Sequence, residues 1–224
     1  MWPEYYTISY LNPRSGAFEG IEVDLARGLA QRLGVGLGVV PTDFRLFMDR
    51  LDQGDCDVAM FGIGITPQRA ARVDFAQPYL RSAVYGVIMQ NNRLIRDWSD
   101  IDRPGNVVAV ASGTFMEPLM QRTLRHASIV SVAPPQTREA ELQSGRADVF
   151  MSDFPYTRRL LLTGQWFRII EPPGGFGETL YAPAVAKGDA AMLAAINAFV
   201  AEARADGTLA RSAARHGLSP ILID

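Results

Sequence analysis

Residues 61–75, FGIGITPQRAARVDF, end an apolar run on Gly62 and Gly64 and place Arg69 five positions after the second glycine. A guanidinium offers two parallel N–H donors, the geometry a carboxylate accepts, and a glycine without Cβ lets a ligand approach the main chain. These types and spacings describe an anion receptor. The competing reading is a strand followed by a surface helix with a solvated arginine. An opposite charge stands at Asp153, 84 positions beyond Arg69, closing the apolar run that starts at Val149. That aspartate could equally cap a helix over FPYTRRLLL. Between them, Ser112, Gly113 and Thr114 lead into a helix near residues 115–120, whose first N–H groups can receive an anion. Thr114 could also serve as that helix's cap alone.

The elements that must position these residues alternate. Leu25, Leu29 and Leu33 share one face of a helix that Gly34 ends. A short strand over 37–40 follows, then a helix through Leu46, Phe47 and Leu51 closing at Gly54, then a buried strand over 57–65. This is α/β logic. LDQGDCDVAMFG at 51–62 is echoed by LQSGRADVFMSD at 142–153, an offset of 91 positions throughout. A helix closing on glycine, a short turn and a parallel strand near Asp-Val are therefore expected twice, once in each of two similar lobes. Ligands of open parallel sheets bind beyond the carboxyl ends of the strands, where residues 62–64 stand in one lobe and Asp153 in the other. Strands over 82–89 and 179–186 are the expected crossings of a hinge. A helix striped by Leu193, Ile196 and Val200 and stopped by Gly207 should return to the first lobe. The expected lobes are 1–83 with 182–224, and 84–181.

Composition narrows the chemistry. The 224 residues are 48% hydrophobic with a formal charge of −2, and the 22 Lys and Arg form no run, so neither nucleic acid nor an anionic membrane is an expected partner. No apolar stretch approaches the ~18 residues of a membrane span. A single cysteine, Cys56, excludes an internal disulfide and reads as a small buried residue. His126 and His216 give no metal-ligand spacing and pair with no nucleophile, so no metal and no cofactor are expected.

GIEVDLARGLAQRLGV from Gly20, GITPQRAARVDFAQPY from Gly64, ASGTFMEPLM from Ala111, LQSGRADVFMSD from Leu142 and AVAKGD from Ala184 stand in an order that resembles one family. It is that of the extracytoplasmic solute-binding proteins of ABC transporters, family 3, the polar amino-acid class. The resemblance covers essentially the whole chain. It implies an α/β, two-lobed periplasmic-binding-protein (Venus flytrap) fold of type II, closing on one small molecule about a two-strand hinge. It also implies that Arg69 clamps an α-carboxylate and Asp153 accepts an α-ammonium. Thr114 would stand beside the carboxylate, and Tyr6 and Phe44 would pack over the ligand's side chain. Relatives carry hydroxyl side chains where this chain has Gly62 and Gly64, which leaves main-chain contacts there and room near the ligand's α-carbon.

The function implied is substrate capture for uptake, without covalent chemistry: a monomer that binds a small α-amino acid in the inter-lobe cleft and presents it to an ABC permease. Two other functions use the same fold. One is the input domain of a membrane signalling receptor. The other is a cyclohexadienyl dehydratase-like enzyme with Glu178 as acid, which a repulsive Asp153 argues against. Glu117 and Glu178 otherwise read as solvated. The start, MWPEYYTISY, carries no signal-peptide pattern and is abrupt for a family whose members have a strand ending near Met1. The resemblance implies a cut first strand, a signal peptide in the precursor and a periplasmic or extracytoplasmic location. Neither an acidic pocket for a cationic side chain nor a second arginine for an acidic one can be placed from these residues.

Overall fold

A computed structural model describes residues 1–223. Three short strands open the chain, β1 (Glu4–Tyr5), β2 (Ser9–Leu11) and β3 (Phe18–Glu19), followed by helices α1 (Ile21–Leu33), α2 (Phe47–Asp52) and α3 (Pro67–Ala70). Strands β4 (Val73–Phe75), β5 (Leu80–Ser82) and β6 (Val84–Met89) lead through a 3-10 turn at Trp98–Asp100 to β7 (Val107–Ala111) and α4 (Met116–Thr123). Next come β8 (Ser128–Val132), α5 (Arg138–Gln143), β9 (Val149–Asp153), α6 (Phe154–Leu160) and β10 (Phe167–Ile170). The chain finishes with β11 (Thr179–Tyr181), β12 (Ala184–Ala186), α7 (Ala190–Ala205), α8 (Thr208–Arg215) and a 3-10 turn at Ser219–Ile221.

The contacts separate two compact units. Unit 1 is Met1–Arg81 together with the chain from Thr179 onward, and unit 2 is Ser82–Glu178. The chain thus passes between them at 81/82 and 178/179, against the expected 83/84 and 181/182. The two segments at these passages, β5 and β11, pair with each other.

In unit 2 one five-stranded sheet runs β10-β6-β9-β7-β8. β7 is parallel to both β8 and β9, whereas β6 is antiparallel to β9 and β10. Every residue of β9 is buried, which is why its sequence reads as one continuous run instead of an alternation. Val87, Val108, Val110, Val149 and Phe150 form the interior of this sheet.

In unit 1, α1 buries Leu25 and Leu29, but Leu33 is 40% exposed, so the apolar stripe ends one turn before the helix does. Gly34 closes the helix in the left-handed region, φ 68°, with its N–H returned to the last turn. A Cβ on Gly28 would lie 3.0 Å from the Phe199 ring, so the missing side chain is what admits α7 against α1. Gly207 stops α7 and opens α8, a helix the apolar spacing did not announce. Asp24 of α1 holds α8 in place by accepting from Ser212, Arg215 and His216 at 2.8–3.0 Å.

Two expected strands differ. Residues 57–65 form only isolated antiparallel bridges, Ala59 with Ala184 and Gly64 with Tyr181, so the parallel strand in the first half of the echo is absent while β9 supplies the second. Gly62, at φ 67°, breaks the extended conformation between these bridges. Residues 37–40 pair only at their end, where the Met1 amino group donates to the Val40 carbonyl at 2.8 Å and Thr42 N–H to Met1 at 3.0 Å. Residues 35–40 and 55–58, with Met1 and the Leu29 and Leu33 side of α1, line a cavity of about 340 Å³.

Candidate functional site

In unit 1 the arginine is placed by a short capped turn. The Thr66 hydroxyl accepts the Arg69 N–H at 3.2 Å, and Pro67 occupies the first turn, where its missing N–H costs nothing. This cap turns the side chain inward, leaving Arg69 5% exposed. Its Nη1 donates to the Gly64 carbonyl at 2.8 Å, and its guanidinium carbon lies 5.4 Å from the Phe44 ring centre and 5.6 Å from that of Phe47. Carbonyl and ring faces together fix the plane of the fork. Burial lowers the Arg69 pKa to about 10, against the opposing pull of Tyr181 and Tyr5, so the group is cationic at neutral pH in a dry setting. Such a cation is worth far more to an anion than one on the surface.

The neighbouring aromatic rings divide into two groups. Phe44 meets Trp2 and Tyr5 edge to face, at 5.3 and 6.0 Å between ring centres, and Phe61 at a tilt, at 5.0 Å, so it belongs to the aromatic wall that holds Arg69. Tyr6 is half-buried with its ring centre 5.5 Å from that of Tyr10, and Tyr5 is buried. Gly64 contributes its carbonyl to aiming the arginine. Gly62 turns its N–H to Glu22 Oε1 at 3.2 Å, and a Cβ there would meet the Tyr5 ring at 2.9 Å. Its lack of a side chain therefore serves packing under Tyr5.

Glu22 was not singled out by its sequence, since an acid in the first turn of a helix reads as a favourable surface charge. It is fully buried, and its Oε2 accepts from the Tyr79 hydroxyl at 2.5 Å. Burial pushes its pKa up to about 7, with the hydrogen bonds from Tyr79 and Gly62 holding it back. Glu22, Gly62 and Tyr79 thus form a polar core beneath the loop that carries Gly64.

In unit 2 the strand ends gather the other candidates. Beyond β7, Thr114 is 8% exposed and donates its hydroxyl to the Ala111 carbonyl at 2.8 Å, leaving the oxygen's lone pairs as the part able to meet a ligand. Glu117 folds back to accept the Gly113 N–H at 2.9 Å, so it shapes this turn and is not simply solvated. Asp153 ends β9, is 3% exposed, and its Oδ1 accepts the Tyr156 N–H at 3.1 Å at the start of α6. The capping role open to it from sequence is real. Its negative charge also reaches Tyr85, whose pKa is raised by burial first and then by Glu171 and Asp153. Glu178, the acid of the dehydratase reading, is exposed. Among the described residues no cluster of His, Cys, Asp and Glu could hold a metal, and no helix is long and apolar enough to cross a membrane.

Unit 1 thus holds a buried arginine, Arg69, just beyond the apolar run that ends at Gly64, and unit 2 holds a buried acid, Asp153, at the end of β9. Residues 1–219 match the bacterial extracellular solute-binding proteins, family 3, and the chain belongs to that family. The L-cystine-binding protein TcyJ of Escherichia coli K12 is 27% identical over 202 residues, covering 87% of this chain and 72% of its own. A cyclohexadienyl dehydratase of Pseudomonas aeruginosa is 30% identical over 151 residues, 67% of this chain and 56% of its own. The crystal structure of a mutant of ArgBP from T. maritima superposes with a TM-score of 0.85 at 25% identity, covering 96% of this chain and 91% of the other. The two-lobed α/β fold expected from the resemblance is that of these proteins.

Proposed function

We propose that this protein captures a small α-amino acid outside the cytoplasm and delivers it to an ABC permease. Arg69 of unit 1 receives the α-carboxylate, and Asp153 of unit 2 receives the α-ammonium of the same ligand. The observation that carries this reading is Arg69 itself, a buried cation whose plane is fixed by Gly64 O and two aromatic rings. Thr114 stands beside the carboxylate. The relationship to an L-cystine-binding protein supports an amino acid as the ligand class.

The dehydratase relative makes an enzyme the second reading. General-acid work at neutral pH calls for a sheltered carboxyl, and Glu178 lies in solvent. Asp153, buried and anionic in this role, would repel a dicarboxylate lacking an ammonium. The test is a thermal-shift screen against the twenty amino acids, cystine and prephenate, followed by calorimetry. Amino acids should raise the midpoint by mass action, and prephenate should give neither a shift nor turnover. Turnover of prephenate would replace binding with catalysis as the function.

A further inference from the structure

The sheet of unit 2 contains a point at which its connections part. From β7 the chain proceeds through α4 to β8 at one edge of the sheet. From β9 it proceeds through α6 to β10 at the other. β7 and β9 are neighbours, yet their paired residues end at Ala109 and Phe150 while the strands run on to Ala111 and Asp153. Adjacent strands whose connections leave in opposite directions define a switch point, the place where open α/β sheets receive ligands.

One cationic side chain is packed against the β9 side of that opening. Arg138, the first residue of α5, is 7% exposed, and its Nη1 donates to the Met151 carbonyl at 2.5 Å, one residue past the last position at which β9 pairs with β7. Its guanidinium carbon lies 5.3 Å from the Phe150 ring centre and 4.5 Å from that of Tyr156. Tyr156 is also the residue whose N–H is held by Asp153, so the buried cation and the candidate ammonium receptor bear on one tyrosine.

The charge balance at this position is unusual for so buried an arginine. The adjacent acid, Glu139, accepts from the Tyr156 hydroxyl at 2.6 Å, and Glu141 is paired with Arg146. No carboxylate among the described residues lies within ion-pair distance of Arg138. One carbonyl satisfies one of five donors, whereas a buried guanidinium ordinarily keeps a carboxylate because desolvation without one is costly. Two ring faces and a main-chain carbonyl orient the fork without neutralising it, which is the arrangement of a receptor.

Resting on the amino-acid reading above, we infer that Arg138 receives a second anionic group of the ligand, so that the preferred ligands are amino acids with a further carboxylate in the side chain. The arginine sets specificity, and Arg69 and Asp153 remain the receptors for the α-groups. Pairs of ligands that differ only in that charge isolate its role: L-glutamate against L-glutamine, and L-aspartate against L-asparagine.

The experiment is calorimetry of these four amino acids on the full chain and on Arg138→Met and Arg138→Lys. The wild type should favour one acidic member over its amide by at least about tenfold. Arg138→Met, which keeps an apolar stem between the rings, should erase that preference while leaving amide binding within about threefold. Arg138→Lys should retain part of it. If the wild type binds the amides as tightly as the acids, or Arg138→Met weakens both equally, the arginine only fastens α5 to β9 and the inference is overturned. If Arg138→Met does not fold, the wild-type ratio and Arg138→Lys decide. Binding of other amino acids with no acidic preference would overturn this inference alone, whereas binding of none of the twenty overturns the function on which it rests.

Discussion

The Gly64 carbonyl accepts the Arg69 Nη1 hydrogen bond at 2.8 Å, so the residue that ends the apolar run also aims the arginine five positions later. Loop and arginine form one local unit, closed by the Thr66 cap. Substrate affinity and loop conformation should therefore be coupled.

Arg69→Ala should weaken amino-acid binding at least about a hundredfold, ~2.7 kcal/mol, by removing two charge-assisted hydrogen bonds. Fold and far-UV spectrum should persist, because the substitution also relieves a desolvated charge. Calorimetry decides: affinity retained within about threefold would remove the carboxylate clamp.

Asp153→Asn keeps a good helix cap for α6 and deletes the charge. It should weaken amino acids more than their des-amino analogues, with little change in thermal midpoint. Asp153→Ala should lose about 1 kcal/mol of stability in addition. Equal losses for both ligand types in the Asn variant would leave Asp153 a cap only.

Glu22 makes stability depend on pH. Its folded pKa, about 7, stands above its ordinary value of 4.5, so its protonated form is favoured by folding. That contribution is complete below about pH 4.5 and is lost as the pH rises through about 7, on the order of 3 kcal/mol in all. Urea midpoints between pH 5 and 8 should fall for the wild type relative to Glu22→Gln. Parallel profiles for the two proteins would show that Glu22 titrates normally.

Gly62→Ala should cost more than Gly34→Ala. Both sites lie in the left-handed region, at φ 67° and 68°, which costs an alanine about 1–2 kcal/mol. At Gly34 a Cβ meets open space, but at Gly62 it collides with the Tyr5 ring at 2.9 Å and strains the Glu22 contact. The difference in thermal midpoints measures the collision, and equal midpoints would mean that Tyr5 yields freely.

What could be read in the sequence follows the range of the interactions. α1 was legible because a helix is made of contacts four residues apart, and its stop at Gly34 was local too. β9 was legible from its echo and its continuous burial. The segment 57–65 was misread as a parallel strand because its partners, Tyr181 and Ala184, lie more than a hundred positions away and run antiparallel. Glu22 carried no signal, since its partner Tyr79 is 57 positions distant. Arg138 likewise resembled any exposed arginine at the head of a helix until the strand order was known.

The clasp that Asp24 forms with Ser212, Arg215 and His216 joins the first long helix to the last across 188 to 192 positions of chain. Synthesis delivers α8 only after all of unit 2 has emerged, so α1 waits unclasped until then. Unit 1 is the half that begins first and is completed last, and a chain halted before Thr208 leaves Asp24 without the three donors that secure α1.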